Sequence, residues 1–194
     1  MTVRKEAFAV WITGLPASGK STLAAALAHA LEALGVDAAV LESDALRKVF
    51  TPSPRYDDAE RDVFYAALAH IGRILVRHGV PVIFDATANR RAFRDRARGA
   101  IPKFLEVYVD CPLAVCVSRD PKGIYRRGSR GESGSVPGLQ ADYEPPLHPE
   151  VEVRGDREPP EQAARRVLAA LAERGYVKGA ASRRTGQRRS RAAR

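Results

Sequence analysis

Apolar residues are arranged along the chain in two alternating patterns, short continuous runs and longer stretches with helical spacing. The short runs predict strands at residues 8–13, 37–41, 80–84, 104–109 and 150–153. Stretches in which apolar residues recur three and four positions apart predict helices at residues 21–34, 57–78, 89–100, 113–119 and 160–174. The short runs do not alternate with polar residues, which is typical of strands that are covered on both faces.

The order of these elements predicts the fold class. A strand followed by a helix and a second strand forms a βαβ unit, in which the two strands run parallel. We therefore expect an α/β fold with a parallel β-sheet flanked by helices. In such folds ligands bind at the carboxyl ends of the strands, so residues that carry chemistry should follow the strands.

The turn after the first predicted strand carries a phosphate-binding motif. Residues 14–22 read Gly-Leu-Pro-Ala-Ser-Gly-Lys-Ser-Thr, which matches G-x-x-x-x-G-K-[ST] between a strand and a helix. Glycines let the backbone amides surround phosphates, and the helix N-terminus adds positive potential. We expect Lys20 to reach the β- and γ-phosphates and Ser21 to bind Mg²⁺. The residues predicted to bind the nucleotide are Gly14, Ala17, Ser18, Gly19, Lys20, Ser21 and Thr22.

Other features favour a small-molecule kinase with the P-loop kinase fold. The chain has no Asn/Thr-Lys-x-Asp motif for guanine, and 194 residues are few for a motor or a large ATPase. Phosphoryl transfer requires positioning and charge neutralisation, for which Mg²⁺, lysines and arginines are suited. Residues 122–150 predict a long loop that includes a mobile lid rich in arginine, although a basic surface loop is the alternative.

Two acidic residues follow predicted strands. Asp44 comes after the second strand, where it could take a proton from an acceptor hydroxyl or help to hold Mg²⁺. Its alternative role is to cap a helix that starts at Ala45. Asp85 ends the third strand, a position suited to Mg²⁺ or to substrate binding, and it could instead cap the amide of Thr87.

Several arginines are candidates for binding an anionic acceptor. Guanidinium groups bind phosphate and sulfate oxygens through two parallel hydrogen bonds. Any single one of them could equally lie on a solvated helix face. The candidates are Arg47, Arg61, Arg91 and Arg94.

Composition and charge add three expectations. The chain is 45% hydrophobic and 28% charged, which is typical of a globular domain, and we place the kinase domain at residues 1–178. Six of the nine net positive charges are arginines in residues 179–194, which predicts a solvated basic tail; a weak nucleic-acid contact is the alternative. Two cysteines, no apolar run of membrane length and no signal-like start predict a cytoplasmic protein.

Two further runs resemble the adenylyl-sulfate kinase family. They are Asp-Pro-Lys-Gly-Ile-Tyr at 120–125 and Gly-Leu-Gln-Ala-Asp-Tyr-Glu-Pro at 138–145, and the resemblance spans about residues 8–178. It implies transfer of the γ-phosphate of MgATP to the ribose 3′-hydroxyl of adenosine 5′-phosphosulfate (APS), which gives PAPS, by a homodimer. It also implies Asp44 as the base, Lys122 in the lid, and substrate contacts from Arg47, Arg61 and Gly138.

The chain departs from the family pattern on the acceptor side. The family's Asp-Gly-Asp-Asn-x-Arg reads Glu-Ser-Asp-Ala-Leu-Arg at 42–47, its Ser-Phe-Ile-Ser-Pro reads Asp-Ala-Thr-Ala-Asn at 85–89, and the Phe of Phe-Thr-Gly is Val136. An aromatic partner stacked on a base is worth about 1–3 kcal/mol. The side chains that could replace the missing aromatic rings are Phe50, Tyr56 and Phe64.

Two other functions therefore stay open. One is a P-loop kinase for another small hydroxyl compound, such as a nucleoside, a nucleotide or an antibiotic-like alcohol, with Asp85 joining Asp44 at the chemistry. The other is a non-catalytic ATP-binding or RNA-associated protein that uses the basic tail, whose binding would be sensitive to salt.

Overall fold

The computed structural model describes residues 6–132 and 134–178, so the predicted basic tail lies outside the described residues. Strands and helices alternate through most of this part of the chain. In chain order they are β1 (Ala9–Thr13), α1 (Lys20–Glu32), β2 (Ala39–Glu42), α2 (Ser43–Phe50), α3 (Asp58–Arg77), β3 (Val82–Asp85), α4 (Arg91–Ala100), β4 (Phe104–Asp110), α5 (Leu113–Arg119), α6 (Ile124–Ser129), β5 (Val151–Arg154) and α7 (Pro160–Glu173).

The strands form one parallel sheet in the order β2-β3-β1-β4-β5. The first strand lies at its centre and pairs with β3 on one side and β4 on the other. Because all strands run in the same direction, their carboxyl ends share one edge, where the loops that follow them meet. This confirms the predicted α/β fold with a parallel sheet.

Two helical layers cover the sheet, with a hydrophobic core under each. Helices α1 and α7 pack together on one face, and α3 and α4 on the other. Val10 and Ile12 of β1 point into the first core, while Trp11 points into the second. Trp11 stacks on Phe84 at 4.5 Å between ring centroids, and its Nε1 donates to the carbonyl of Ala86 at 3.1 Å. These contacts fix the loop after β3 to the centre of the sheet.

The predicted strands and helices are present, and their ends shift by at most two residues. Helix α6 lies inside the segment predicted as a loop, so that part of the prediction is wrong; it begins after Gly123, whose φ is 63°, and it buries Tyr125. The edge strands β2 and β5 alternate between more and less exposed residues. The prediction of two covered faces is wrong for them, because the helical layers cover the centre of the sheet more completely than its edges.

Candidate active site

The loop between β1 and α1 has the curved shape that phosphate binding requires. Gly14 and Gly19 have φ angles of 153° and 105°, in the region that favours glycine. A Cβ atom on Gly14 would lie 2.6 Å from the carbonyl oxygen of Val109, so a larger residue does not fit there. Helix α1 begins directly after Gly19, which directs its N-terminus at the loop.

The Lys20 side chain folds back over this loop. It is 9% exposed, and its Nζ donates to the carbonyl of Leu15 at 2.8 Å. Burial lowers the pKa of the Lys20 ammonium, and the charges of Asp85 and Asp44 oppose this shift. Both candidate acids thus favour the charged form of this buried lysine.

The two candidate acids lie in different surroundings. Asp85 ends β3 and is 7% exposed. Asp44 lies in the first turn of α2, with a side chain that is 57% exposed, and its Oδ2 is 2.6 Å from Nζ of Lys122. Helix α2 starts at Ser43 and its capping position is Glu42, so the structure does not show Asp44 as a cap. Lys122, 78 positions further along the chain, is instead its partner.

These groups line one cavity of about 650 Å³. Its walls include residues 17–22 of the loop together with Asp44, Asp85 and Lys122, while Gly14 lies outside the lining, close to Val109. Its volume is in the range of ligand pockets. The cavity therefore unites most of the residues that the sequence predicts at the nucleotide and at the chemistry.

Two further segments of the lining, 119–121 and 155–160, do not appear among the residues predicted from the sequence. Residues 155–160 follow β5, so the rule that ligands bind at the carboxyl ends of strands could have found them. Gly155 accepts a hydrogen bond from Nη1 of Arg119 at 2.9 Å, which joins the two segments.

The residues present fit Mg²⁺ that arrives with a nucleotide. Mg²⁺ in kinases is held by one or two carboxylates, water and substrate phosphates rather than by a cage of protein ligands. Accordingly, no group of three or more His, Cys, Asp or Glu side chains suited to a metal occurs within the described ranges. In the same ranges no hydrogen bond joins the Thr87 amide to the Asp85 carboxylate, and Asp85 and Ser21 line the same cavity.

The arginines predicted on the acceptor side are bound to the protein. The Arg47 guanidinium lies 4.0 Å from the ring centroid of Phe64 and 3.1 Å from a carboxylate oxygen of Glu60. Arg61 is 4% exposed and donates to Oδ1 of Asn89 at 2.9 Å. Burial lowers its pKa. Neither arginine lines the 650 Å³ cavity.

The other predicted acceptor residues also have partners within the protein. Arg91 donates from its backbone amide to Glu144 at 2.8 Å, and Arg94 forms an ion pair with Glu106 at 2.6 Å. Gly138 has a φ of 86°, and a Cβ there would lie 2.8 Å from a methyl carbon of Leu15. Each of the four predicted arginines thus already has a partner within the protein.

The candidate replacements for the missing aromatic rings are not equivalent. Phe64 is 2% exposed, the Arg47 guanidinium lies over its ring, and it does not line the 650 Å³ cavity. Tyr56 also faces the Arg47 guanidinium, at 5.1 Å. Phe50 is 47% exposed and lines a separate cavity of about 290 Å³.

The sequence pattern of the family described as adenylylsulphate kinase matches residues 6–154. The chain belongs to the adenylylsulphate kinase family. Its similarity to individual family members extends further along the chain. It is 39% identical to an adenylyl-sulfate kinase of Microcystis aeruginosa over 175 residues, which are 90% of this chain and 97% of the relative. It is 38% identical to an adenylyl-sulfate kinase of Gloeothece citriformis over 176 residues, which are 91% of this chain and 100% of that relative.

The fold of this adenylylsulphate kinase family member is also that of solved relatives. The structure of the Mycobacterium tuberculosis APS kinase CysC in complex with AMPPNP and APS has a TM-score of 0.80 and 31% identity, and covers 86% of this chain and 98% of that one. This confirms the P-loop kinase fold. None of the described helices is both long enough and apolar enough to cross a membrane.

Proposed function

We propose that this chain is an ATP-dependent adenylyl-sulfate kinase, which transfers the γ-phosphate of ATP to the 3′-hydroxyl of APS and forms PAPS. Family membership supports the reaction, and the solved relative bound to AMPPNP and APS supports the pair of substrates. The single observation that carries the proposal is the cavity in which the phosphate-binding loop faces Asp44, Asp85 and Lys122.

The donor side binds ATP with Mg²⁺, the cofactor that the family uses. The loop amides and Lys20 bind the β- and γ-phosphates, and the lysine exchanges its bond to the Leu15 carbonyl for phosphate oxygens. Ser21 and Asp85 are the residues that would hold Mg²⁺, which supplies charge neutralisation on the phosphates when bound. Asp44 is the second candidate ligand.

We assign Asp44 and Lys122 to the phosphoryl-transfer step. The exposed Asp44 carboxylate orients the acceptor hydroxyl and accepts its proton, since it opens onto the cavity that holds the phosphates. The hydrogen bond with Asp44 raises the pKa of Lys122, so the lysine stays charged beside this carboxylate. The ammonium can then pass from Asp44 to the phosphoryl group as negative charge develops.

The acceptor site is where a second function has support. Val136 is 3% exposed where the family pattern has a phenylalanine, and Phe64 is covered by Arg47. Fewer free aromatic rings favour an acceptor that needs no stacked base, such as a small alcohol. The substrate contacts predicted from the sequence also remain predictions, because the arginines among these residues bind other parts of the protein. The residues are Arg47, Arg61, Arg91 and Gly138.

Domain limits, assembly and location are proposals as well. We place the kinase domain at residues 1–178, with a lid within 122–150, and propose a cytoplasmic homodimer because the resemblance implies one. Light scattering after size-exclusion chromatography of the full chain measures its mass, and a monomer at micromolar concentration would contradict the dimer.

The test is ADP release from MgATP by the purified chain with and without APS, with the product identified by mass spectrometry. APS-dependent ADP release with PAPS formed supports the proposal. A Lys20→Ala variant should lose this activity, because the loop would lack the cation for the β- and γ-phosphates. ATP binding without APS turnover would refute APS as acceptor, and a screen of nucleosides and small alcohols would then test the second function.

A further inference from the structure

We propose that Asn89 and Arg61 form a polar clasp that positions the acceptor-side loops and thereby sets the KM for the acceptor, with little effect on ATP. The inference rests on the proposed function. Asn89 is a positioning residue, and in the structure the side chains of Asn89 and Arg61 bind other parts of the protein and line no part of the 650 Å³ cavity. Asn89 stands where the family pattern has proline, so the clasp belongs to the part of the chain that departs from that pattern.

Asn89 is 4% exposed, and both its side chain and its backbone form hydrogen bonds to other segments. Its Oδ1 accepts from Nη1 of Arg61 at 2.9 Å, and its Nδ2 donates to the carbonyl of Asp142 at 3.0 Å. Its own carbonyl accepts from the amide of Glu144 at 2.7 Å. One asparagine thus joins helix α3, the loop after β3 and the segment 142–144.

Arg61 extends the connection to two more segments. Its Nε donates to the carbonyl of Tyr56 at 3.0 Å, and its Nη2 donates to the carbonyl of Ser135 and lies 3.2 Å from Oγ of the same serine. Tyr56 has a φ of 58°, which a non-glycine residue rarely adopts. The guanidinium therefore holds a strained turn and the start of the 134–144 loop against α3.

These segments reach the wall of the cavity at Asp85 and Thr87. The loop that Asn89 closes begins with Asp85 and contains Thr87, both of which line the cavity. Oγ1 of Thr13 donates a hydrogen bond to the Thr87 carbonyl at 2.6 Å. The same Oγ1 atom lies 3.0 Å from the hydroxyl of Tyr143. Movement of the 134–144 loop is therefore transmitted to the wall beside Asp85.

The donor side has separate support. The phosphate-binding loop rests on Val109 and on the segment after β5, which lie outside the clasp, and it meets the 134–144 loop at the side chain of Leu15, which packs near Val136 and Gly138. Loosening the clasp should therefore change the position of the acceptor without changing the cradle of the phosphates. This difference distinguishes a positioning role from a general loss of stability.

The test compares Asn89→Ala, Asn89→Asp and Arg61→Lys with the parent chain, using KM for APS, KM for MgATP and kcat. We expect Asn89→Ala to raise the KM for APS at least about tenfold, because it leaves the Arg61 donor and the Asp142 carbonyl without their partner. The KM for MgATP should stay within about twofold. Asn89→Asp keeps the acceptor for Arg61 and loses the donor to Asp142, so its KM for APS should be intermediate.

A double variant and a matched control complete the design. If the two residues act as one clasp, Asn89→Ala combined with Arg61→Lys should raise the KM for APS by less than the product of the single effects. Arg96→Lys is the control, because Arg96 also joins α4 to α3, through Asp62 at 2.8 Å, but its side chain is 41% exposed. Its kinetics should match those of the parent.

The outcomes separate this inference from the proposed function. No APS turnover by the parent chain would overturn the proposed function and the clasp with it. APS turnover with an unchanged KM for APS in Asn89→Ala would overturn the clasp alone. Equal rises in KM for APS and for MgATP would also overturn it, as would unaltered amide hydrogen exchange in residues 134–144 of the variants. Faster exchange there, with unaltered exchange in residues 14–22, would support it.

Discussion

A Gly155→Ala substitution tests whether the segment after β5 sets the shape of the phosphate-binding loop. The amide of Gly155 donates to the carbonyl of Asp110 at 2.7 Å, and its carbonyl accepts from Arg119. Its φ lies outside the left-handed region, so alanine could adopt the same backbone conformation. The effect of Gly155→Ala would therefore come from the space that a methyl group needs.

That space is already occupied. A Cβ atom on Gly155 would overlap the carbonyl oxygen of Ser18, and would lie 2.8 Å from Cγ1 of Val109 and 3.3 Å from Cβ of Cys111. The Ser18 oxygen belongs to the backbone of the phosphate-binding loop, so it can move only if the loop moves. Overpacking of this kind costs about 1–3 kcal/mol. If the cost falls on the ATP-binding arrangement, affinity for ATP drops by about 5- to 150-fold.

The assay is the KM for MgATP together with the urea midpoint of unfolding. Gly99→Ala is the matched control: it makes the same change in α4, where nothing lies within 4 Å of the new methyl group. The control should keep its activity and gain about 0.5–1 kcal/mol of stability, because alanine replaces glycine inside a helix. A Gly155→Ala variant with the KM and the midpoint of the parent would refute the reasoning.

Three further predictions concern the chemistry and the buried charges. Asp44→Asn should lower kcat by about 10²–10⁴-fold with little change in KM for MgATP. Steady-state kinetics check this, and equal losses in kcat and in affinity for MgATP would make Asp44 a ligand of the metal or the nucleotide instead. Arg94→Met should lower the free energy of unfolding by about 1–3 kcal/mol, because Glu106 loses the nearer of its two arginine partners and keeps Arg98 at 3.2 Å; urea denaturation measures this, and a loss below about 1 kcal/mol would contradict it. Burial alone would raise the pKa of Glu150, but hydrogen bonds from Arg98 and the amide of Glu106 lower it. Its stabilising effect is therefore present above the ordinary carboxyl pKa of about 4.3 and is lost as the pH falls through the folded value. As the pH is lowered through that range, the urea midpoint of Glu150→Gln should fall less steeply than that of the parent chain. Equal slopes would show that Glu150 is not the source of the pH-dependent stability.

Local patterns were enough to predict the sheet, most of the helices and the donor site. Apolar runs and helical spacing depend on nearest neighbours in the chain, and they placed the strands to within two residues. The motif at residues 14–22 is continuous, so its chemistry could be assigned before its surroundings were known. Helix α6 escaped prediction because its six residues, Ile-Tyr-Arg-Arg-Gly-Ser, are too few to show a helical period.

The sequence by itself therefore determined the order of the strands and of most helices, the phosphate-binding loop and the family, since each rests on residues that are contiguous or regularly spaced. Only the tertiary structure decided which partners the charged side chains take. Lys122 reaches Asp44, Arg61 reaches Asn89 and Ser135, and Gly155 meets Ser18 across separations of 28 to 137 positions. The physical reason is that an arginine or a lysine can pair with any acceptor within reach, and the packing of the strands and helices determines which acceptors those are.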